Sequence, residues 1–452
     1  MSGMLHLDLR NLSKDRLGEK QGLDFSRELD AYSTQLEAAK EALFGRKKDP
    51  KNMLGWVDLP EDTEQARELL RFKDAQSWVQ DFVVLGIGGS ALGAQCLAAA
   101  LGGSGVRLHF VDNVEPGPVI ELLAKLNPAE TLVNVISKSG NTPETMAAFL
   151  VFGSWLERRL GPDWKRHLVV TTDPEKGLLR SYARREQVSC FAVPESVGGR
   201  FSVFSAAGLL PLAFAGVGLE ALLSGARKAN QTAQLTLAQN LPAQTALVHH
   251  LYAARGVNIN VLMPYSSRLK LLPSWFVQLH AESLGKAKDR EGREVFVGTT
   301  PIPAVGATDQ HAQVQLFREG PFDKLVAFIQ IEKPAQDLEI PRVAGLEALD
   351  YLFGKSFHRL LSSEASATAH ALAKAGRPNY AMVLEKLDEY HLGWLLQHLM
   401  WQTAFLGELW NINAFNQPGV ELGKEYTYAL MGRKGYEELR ETLIHEGAEG
   451  HE

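Results

Sequence analysis

The chain has 452 residues, of which 45% are hydrophobic and 22% are charged. These proportions predict a globular protein with more than one domain. Its net charge of −6, with no basic block, argues against binding to nucleic acid or to an anionic membrane surface. The only two cysteines suggest neither a disulfide framework nor a zinc site, and the N-terminus lacks a signal-peptide pattern, so we expect a cytoplasmic protein.

Two long uncharged runs, 82–106 and 201–219, are the only candidates for membrane spans. The first is broken repeatedly by glycine, and the second contains Pro211 and three glycines. Both are better interpreted as buried strands and helices, so we expect no membrane insertion.

The chain begins with a charged, helix-like segment and continues with apolar runs that alternate with helix-like stretches. The strand-like runs of the first half are Asp81–Leu85, Arg107–Val111, Thr131–Ile136, His167–Thr171 and Ser189–Val193. Continuous apolar strands separated by helices are typical of a parallel sheet covered on both faces. This part of the chain is therefore predicted to be an α/β domain.

A second series of strand-like runs follows, at Asn258–Met263 and Lys324–Ile331, with long helical patterns at Leu346–Ala375 and Leu384–Gly407. It predicts a second α/β domain. The predicted organisation is an N-terminal helical segment over 1–50, a first domain over 51–218, a second over 219–430 and a C-terminal helix within 431–452.

A glycine-rich stretch, VLGIGGSALG at 84–93, lies between the first strand and a helix-like run. Gly86, Gly88 and Ala91 satisfy the dinucleotide pattern G-x-G-x-x-A, and Asp112 follows the next strand where a ribose-binding carboxylate would lie. By itself this stretch is compatible with a dinucleotide site, a sugar-phosphate site or a simple tight turn.

A second loop, SKSGNTPET at 137–145, follows the strand Thr131–Ile136 and precedes a helix-like run. Four hydroxyl residues and a glycine at a helix N-terminus are typical of an anion site. Helix capping would need only one of these residues. Two such loops at neighbouring strand ends favour a single sugar phosphate over a dinucleotide.

Both loops resemble those of the sugar isomerase (SIS) domain, a flavodoxin-like α/β fold with three αβα layers that binds phosphosugars. With GGRFSVFSAAG at 198–208, the chain resembles the phosphoglucose isomerase family, whose members have two such domains. The likeness extends over 85–426, in the family's order. It implies reversible isomerisation of glucose 6-phosphate and fructose 6-phosphate through a cis-enediol, without cofactor or metal.

In the segment QLHAESLGK at 278–286, Gln278, Glu282 and Lys286 are spaced by four and share one helical face. Spacing alone favours a solvated face with an ion pair. The resemblance instead implies that Glu282 is the catalytic base and that Gln278 contacts the substrate.

Two further motifs, GATDQHAQVQL at 306–316 and FNQPGVELGK at 415–424, complete the resemblance. It implies that His311 and Lys424 open the sugar ring, that Gln417 contacts the substrate and that Arg200 stabilises the enediolate. In the family this histidine comes from the neighbouring subunit, which implies a homodimer with the active site at the subunit interface.

The remaining residues expected to bind substrate or phosphate are Gly88, Gly89, Ser90, Ser137, Lys138, Ser139, Thr142 and Gly199. Two other classes of function stay open from the sequence: a phosphosugar-binding module without catalysis, and a nicotinamide oxidoreductase. Mannose 6-phosphate is a possible second substrate, because epimerisation at C2 shares the enediol.

Overall fold

The computed structural model describes residues 5–103 and 105–448. Its N-terminal segment contains one short strand and three helices: β1 (His6–Asp8), α1 (Lys14–Leu17), α2 (Phe25–Ala31) and α3 (Ser33–Arg46).

The next part of the chain builds the first sheet. Its elements are α4 (Thr63–Ala75), β2 (Asp81–Leu85), α5 (Leu92–Leu101), β3 (Arg107–Val111), α6 (Pro116–Lys125), β4 (Thr131–Ile136), α7 (Pro143–Leu160), β5 (Leu168–Thr172), α8 (Leu178–Glu186) and β6 (Ser189–Ala192). The strands lie in the order β3-β2-β4-β5-β6 and all neighbours are parallel. This is the flavodoxin-like order, which confirms the predicted fold class.

Strand β2 shows why the first sheet is covered on both faces. Phe82 and Val84 belong to one hydrophobic core, whereas Val83 and Leu85 belong to another. Side chains of a strand alternate between the faces of a sheet, so an uninterrupted apolar run requires a core on each side.

The second half of the chain begins with three helices and then builds the second sheet. Its elements are α9 (Ala206–Phe214), α10 (Leu219–Gln234), α11 (Leu241–Ala253), β7 (Ile259–Pro264), α12 (Leu272–Leu284), β8 (Lys286–Lys288), β9 (Glu294–Val297), β10 (Thr300–Pro303), α13 (Val314–Glu319), β11 (Lys324–Ile331), α14 (Phe357–Lys374), β12 (Asn379–Leu384) and α15 (Glu389–Leu409). Two helices follow, α16 (Glu421–Leu430) and α17 (Glu437–His445).

The second sheet has the order β1-β12-β11-β7-β10, in which β1 is antiparallel to β12 and the other neighbours are parallel. The N-terminal segment, predicted as helical, thus adds an edge strand to the second sheet. Strands β10 and β12 were also not predicted. All three are short or polar at one end, and β1 and β12 pair with each other from opposite ends of the chain.

The long helical pattern predicted at Leu346–Ala375 is shorter in the structure, where α14 begins at Phe357. Ser356 caps it by accepting a hydrogen bond from the backbone N–H of Arg359. Upstream, Glu347–Leu349 form only a short 3-10 turn. The predicted domain limits at 50, 218 and 430 stay predictions.

The uncharged run at 201–219 contains α9, whose side chains are all buried. No helix within the described residues combines the length and apolarity needed to cross a bilayer. The same part of the chain holds no cluster of three or more His, Cys, Asp or Glu side chains arranged to bind a metal ion.

Candidate active site

The glycine loop after β2 packs directly against two other segments of the candidate site. Gly88 has φ +57°, and a Cβ on it would lie 2.8 Å from Nε2 of Gln278. A Cβ on Gly89 would lie 2.2 Å from the carbonyl of Gly199. The backbone approaches this closely only because both positions lack a side chain. Ser90 ends the same turn and is half-buried.

The hydroxyl loop after β4 gathers three side-chain oxygens at the N-terminus of α7. Oγ1 of Thr142 lies 3.1 Å from Oγ of Ser137 and 3.4 Å from Oγ of Ser139. The backbone N–H of Gly140, which has φ +67°, donates to Oγ of Ser137 at 3.1 Å. Hydroxyls at the positive end of a helix dipole provide donors for a phosphate group.

Lys138 lies in this loop, but its ammonium group is already bound elsewhere. Nζ donates to the carbonyl oxygens of Glu195 at 2.7 Å and Val197 at 2.8 Å. Burial lowers the pKa of Lys138. Lys138 therefore connects the hydroxyl loop to the segment that precedes Gly199. Its ammonium group is not directed at the hydroxyls of Ser137, Ser139 and Thr142.

Arg200 is the most connected side chain of the candidate site and is 3% exposed. Nε donates to Oγ of Ser283 at 2.7 Å, and Nη1 donates to Oε1 of Gln417 at 2.8 Å. Nη2 donates to the carbonyl oxygens of Ala414 at 2.7 Å and Asn416 at 3.1 Å. Burial lowers the pKa of Arg200 to about 10, so the guanidinium remains charged near neutral pH.

Glu282 lies beside this guanidinium, on α12. Its Oε2 is 3.3 Å from Nη1 of Arg200, and its Oε1 accepts a hydrogen bond from Nε2 of Gln278 at 3.1 Å. The carboxylate is 32% exposed, so a substrate can reach it, whereas Oε1 of Gln278 is buried without a partner among the described residues. Two members of the predicted stripe, Gln278 and Glu282, therefore lie on α12 beside Arg200 and the glycine loop. The prediction was wrong for Lys286, because α12 ends at Leu284 and Lys286 begins strand β8.

Lys286, the third member of the stripe, does not pair with the Glu282 carboxylate. Its ammonium group donates to the backbone carbonyls of Glu282 and Ser283 and so caps the C-terminal end of α12. Burial, with the nearby charge of Arg200, lowers the pKa of Lys286 to about 8.

The structure does not join the two predicted ring-opening residues to this cluster. Lys424 pairs with Glu421 on its own helix at 2.8 Å, and its side chain is 48% exposed. His311 is exposed at the end of a 3-10 turn, Thr308–His311. Within residues 5–103 and 105–448, neither side chain has a hydrogen bond to Arg200, Glu282 or Gln278.

Of the partners that hold Arg200 in place, the sequence indicated Gln417 as a site residue but not Ser283, Ala414 or Asn416. Ser283 follows Glu282 directly within the quoted motif, and that adjacency is the only signal that could have indicated it. The carbonyls of Ala414 and Asn416 carry no signal at all, because every residue has a backbone oxygen.

Asp112, the acidic residue of the dinucleotide interpretation, accepts a hydrogen bond from Nε2 of Gln95 on α5 at 2.8 Å. The carboxylate thus bonds to the neighbouring helix of its own domain, which supports a structural role for Asp112.

The two sheets and their loops define the fold of phosphosugar isomerase domains. A solved tagatose-6-phosphate ketose/aldose isomerase from Escherichia coli shares this fold at 13% identity, with a TM-score of 0.50 over 82% of this chain and 94% of that chain. A glucose-6-phosphate isomerase from Chlamydia trachomatis is more similar, with 26% identity and a TM-score of 0.78 over 91% and 89% of the two chains.

The phosphoglucose isomerase family model matches residues 71–440. A glucose-6-phosphate isomerase from Thermus thermophilus is 57% identical over 424 residues, covering 94% of this chain and 99% of the relative. One from Carboxydothermus hydrogenoformans is 41% identical over 460 residues, covering 97% of each. The chain therefore belongs to the phosphoglucose isomerase family, which confirms the predicted resemblance.

Proposed function

We propose that the region where the two phosphate loops, Arg200 and α12 meet is the site where this chain interconverts glucose 6-phosphate and fructose 6-phosphate. The isomerase activity follows from the family and from relatives of that name that span almost the whole chain. The main observation that supports this location is the distance of 3.3 Å between Oε2 of Glu282 and Nη1 of Arg200, beside the glycine loop.

The phosphate group is held by Ser137, Ser139 and Thr142, together with the N-terminal end of α7. The Thr142 hydroxyl lies within hydrogen-bond distance of both serine hydroxyls, which supports a shared ligand. Gly88, Gly89, Ser90 and Gly199 form the opposite wall. We propose that Lys138 contributes by holding this wall in place, because its ammonium group bonds to the segment before Gly199.

Glu282 transfers the proton between the two carbons. In the aldose-to-ketose direction its carboxylate removes the C2 proton while the C1 carbonyl oxygen gains negative charge, which gives the enediolate. The proton of the C2 hydroxyl passes to the C1 oxygen, and the same carboxyl group delivers its proton to C1, so that C1 becomes a hydroxymethyl group and the C2 oxygen becomes the ketone. Arg200 lies beside Glu282 and stabilises the negative charge that develops on the oxygens. Gln278 holds the Glu282 carboxylate and Gln417 holds the Arg200 guanidinium, and both glutamines contact the sugar hydroxyls.

Because proton transfer and charge stabilisation are both supplied by side chains, the proposed reaction uses no cofactor and no metal. A cytoplasmic location is part of the proposal and is supported by the two cysteines, Cys96 and Cys190, which are both free.

We expect ring opening to need a second copy of this chain. His311 is exposed and makes no hydrogen bond to the Glu282 cluster, which supports a role in the active site of a partner subunit. The region before and at the start of α14 also exposes apolar side chains that a partner would cover, with Leu338 at 62%, Tyr351 at 64% and Phe357 at 57% exposure. Lys424 is proposed to assist at the ring oxygen.

A coupled assay tests the function directly. Fructose 6-phosphate is supplied, and glucose 6-phosphate is detected through a dehydrogenase, with and without EDTA. We expect turnover at the same rate in both. Binding without turnover would favour a non-catalytic phosphosugar module, and loss of activity in EDTA would contradict the metal-free mechanism. Mannose 6-phosphate as substrate tests whether the enediol is also reprotonated on the other face.

Mixing two inactive variants tests the shared active site. His311→Ala and Glu282→Gln subunits are each expected to be nearly inactive, but random reassociation makes about half of the dimers mixed. If His311 acts in the partner's site, each mixed dimer has one intact site, and activity returns to about a quarter of wild type. If both residues act within one subunit, no mixed dimer has an intact site and the activity does not return.

A further inference from the structure

Behind the candidate catalytic carboxylate, α12 carries a fully buried histidine that the proposed mechanism does not use. His280 is 0% exposed and lies two residues before Glu282. Successive residues of an α-helix are about 100° apart, so these two side chains point to nearly opposite sides of α12. His280 faces the second sheet, whereas Glu282 faces Arg200.

The imidazole takes part in a short chain of hydrogen bonds. Nε2 of His280 lies 2.7 Å from Oγ1 of Thr299, and Nδ2 of Asn260 lies 2.7 Å from the same oxygen. Nδ2 of Asn260 also lies 3.2 Å from Nε2 of His280. These distances fit a cluster in which the Asn260 amide donates to the Thr299 hydroxyl and to the imidazole, and the hydroxyl donates to His280 over the shorter distance. Asn260 lies on β7, and Thr299 directly precedes β10.

Burial lowers the pKa of His280 to about 3, so the ring is neutral at working pH and is not a proton donor to the substrate. The hydrogen bond of His280 instead has a structural effect, because it fixes the orientation of α12. Apolar packing tolerates small rotations of a helix, whereas a buried hydrogen bond of defined geometry favours one orientation. If the bond between His280 and Thr299 is lost, the imidazole keeps only the longer contact of 3.2 Å with the Asn260 amide.

The contact between His280 and Thr299 also connects α12 to the segment that leads to His311, the proposed ring-opening residue. Strand β10 leads into the turn that carries His311. The segment before β10 packs closely against the end of α12: a Cβ on Gly298, which has φ +152°, would lie 3.1 Å from Cα of Gly285. One hydroxyl thus links the helix of Glu282 to the strand that leads to His311.

We propose that His280 is a positioning residue, which fixes the rotation of α12 through Thr299 and Asn260 and thereby keeps the Glu282 carboxylate beside Arg200. The inference rests on the proposed function, in which Glu282 transfers the proton. It predicts that removal of this hydrogen bond slows the chemical step far more than it weakens phosphosugar binding, because the phosphate-binding hydroxyls of Ser137, Ser139 and Thr142 do not lie on α12.

Three variants test the proposal by steady-state kinetics. His280→Leu removes the acceptor, and Thr299→Val removes the hydroxyl while preserving the shape. We expect kcat to fall about tenfold to a hundredfold in each, with KM within about twofold of wild type, because a misplacement of about 1 Å strongly slows proton transfer. His280→Gln places an amide oxygen near the position of Nε2 and is expected to restore kcat to within about threefold.

His398→Leu is the matched control. His398 is also 0% exposed and its Nε2 lies 3.3 Å from Oγ1 of Thr245, but this contact joins α15 to α11. We expect it to lower Tm as much as His280→Leu while kcat stays near wild type. The proposal is overturned if kcat of both test variants stays within about twofold of wild type, or if His398→Leu lowers kcat equally.

A crystal structure of Thr299→Val separates this proposal from the proposed function. We expect the Glu282 carboxylate to have moved away from Nη1 of Arg200, whatever the activity of the protein. Absence of turnover in the wild type would contradict the proposed function alone. An unchanged position of Glu282 in the variant would contradict the positioning role alone.

Discussion

Glu282→Gln is expected to lower kcat about 10³- to 10⁴-fold, because the amide keeps the shape of the side chain but cannot accept the C2 proton. Substrate affinity should change no more than about threefold, since Gln278, Arg200 and the phosphate loops remain. The coupled assay measures the rate, and competition by a substrate analogue measures binding. A second readout is proton exchange between C2 and deuterated water, which should stop with turnover.

Glu294→Gln provides the control for Glu282→Gln. Glu294 is an exposed carboxylate on β9 of the same domain, and the same change of charge there should leave kcat unaltered. If Glu282→Gln turns over within about tenfold of wild type, the proton is carried by another group and the assignment of Glu282 is wrong.

Arg200→Lys is the second large effect, and it acts on both rate and stability. A lysine keeps one positive charge but cannot donate to Ser283, Gln417 and the two backbone carbonyls together, as the guanidinium does. We expect kcat to fall about 10²- to 10³-fold, the effect of losing a fixed group that stabilises the enediolate. The unpaired buried acceptors should lower the free energy of unfolding by about 3 kcal/mol.

Chemical denaturation and the coupled assay separate the two effects of Arg200→Lys, provided that kcat is measured on folded protein. Arg293→Lys is the matched control, because Arg293 makes ion pairs at an exposed position and such pairs contribute little. An Arg200→Lys enzyme with near wild-type kcat would mean that a point charge suffices and that the guanidinium geometry is structural.

Local patterns identified most of the first domain. The runs Asp81–Leu85, Arg107–Val111 and Thr131–Ile136 were predicted with the limits that the structure has. Asp81–Leu85 and Thr131–Ile136 are buried throughout, with a core on each face of the sheet, so their signal lies within a few consecutive residues. Arg107–Val111 is the edge strand, and only Val111 in it is buried. The SKSGNTPET loop was recognised for the same reason, because its hydroxyl groups are adjacent in the sequence.

The second domain was harder to predict because part of its sheet is assembled from distant segments. β1 pairs with β12, which lies more than 300 residues away, and β12 itself was assigned to no strand. Nothing within a three-residue stretch indicates which edge it will join, since pairing depends on backbone groups common to all residues. The predicted start of α14 is too early for a different reason: the apolar residues before it follow a helical period, but they are exposed or half-buried and form only a short 3-10 turn.

For the candidate site, the sequence by itself determined the residue types and the family, since ordered short motifs supply both. The tertiary structure alone decided what those residues touch. It directed Lys138 to two backbone carbonyls and joined Arg200 to Ser283, 83 residues away, and to Gln417, 217 residues away. A motif specifies chemistry over a few consecutive residues, whereas the direction of a side chain depends on which distant backbone and side-chain groups the fold brings beside it.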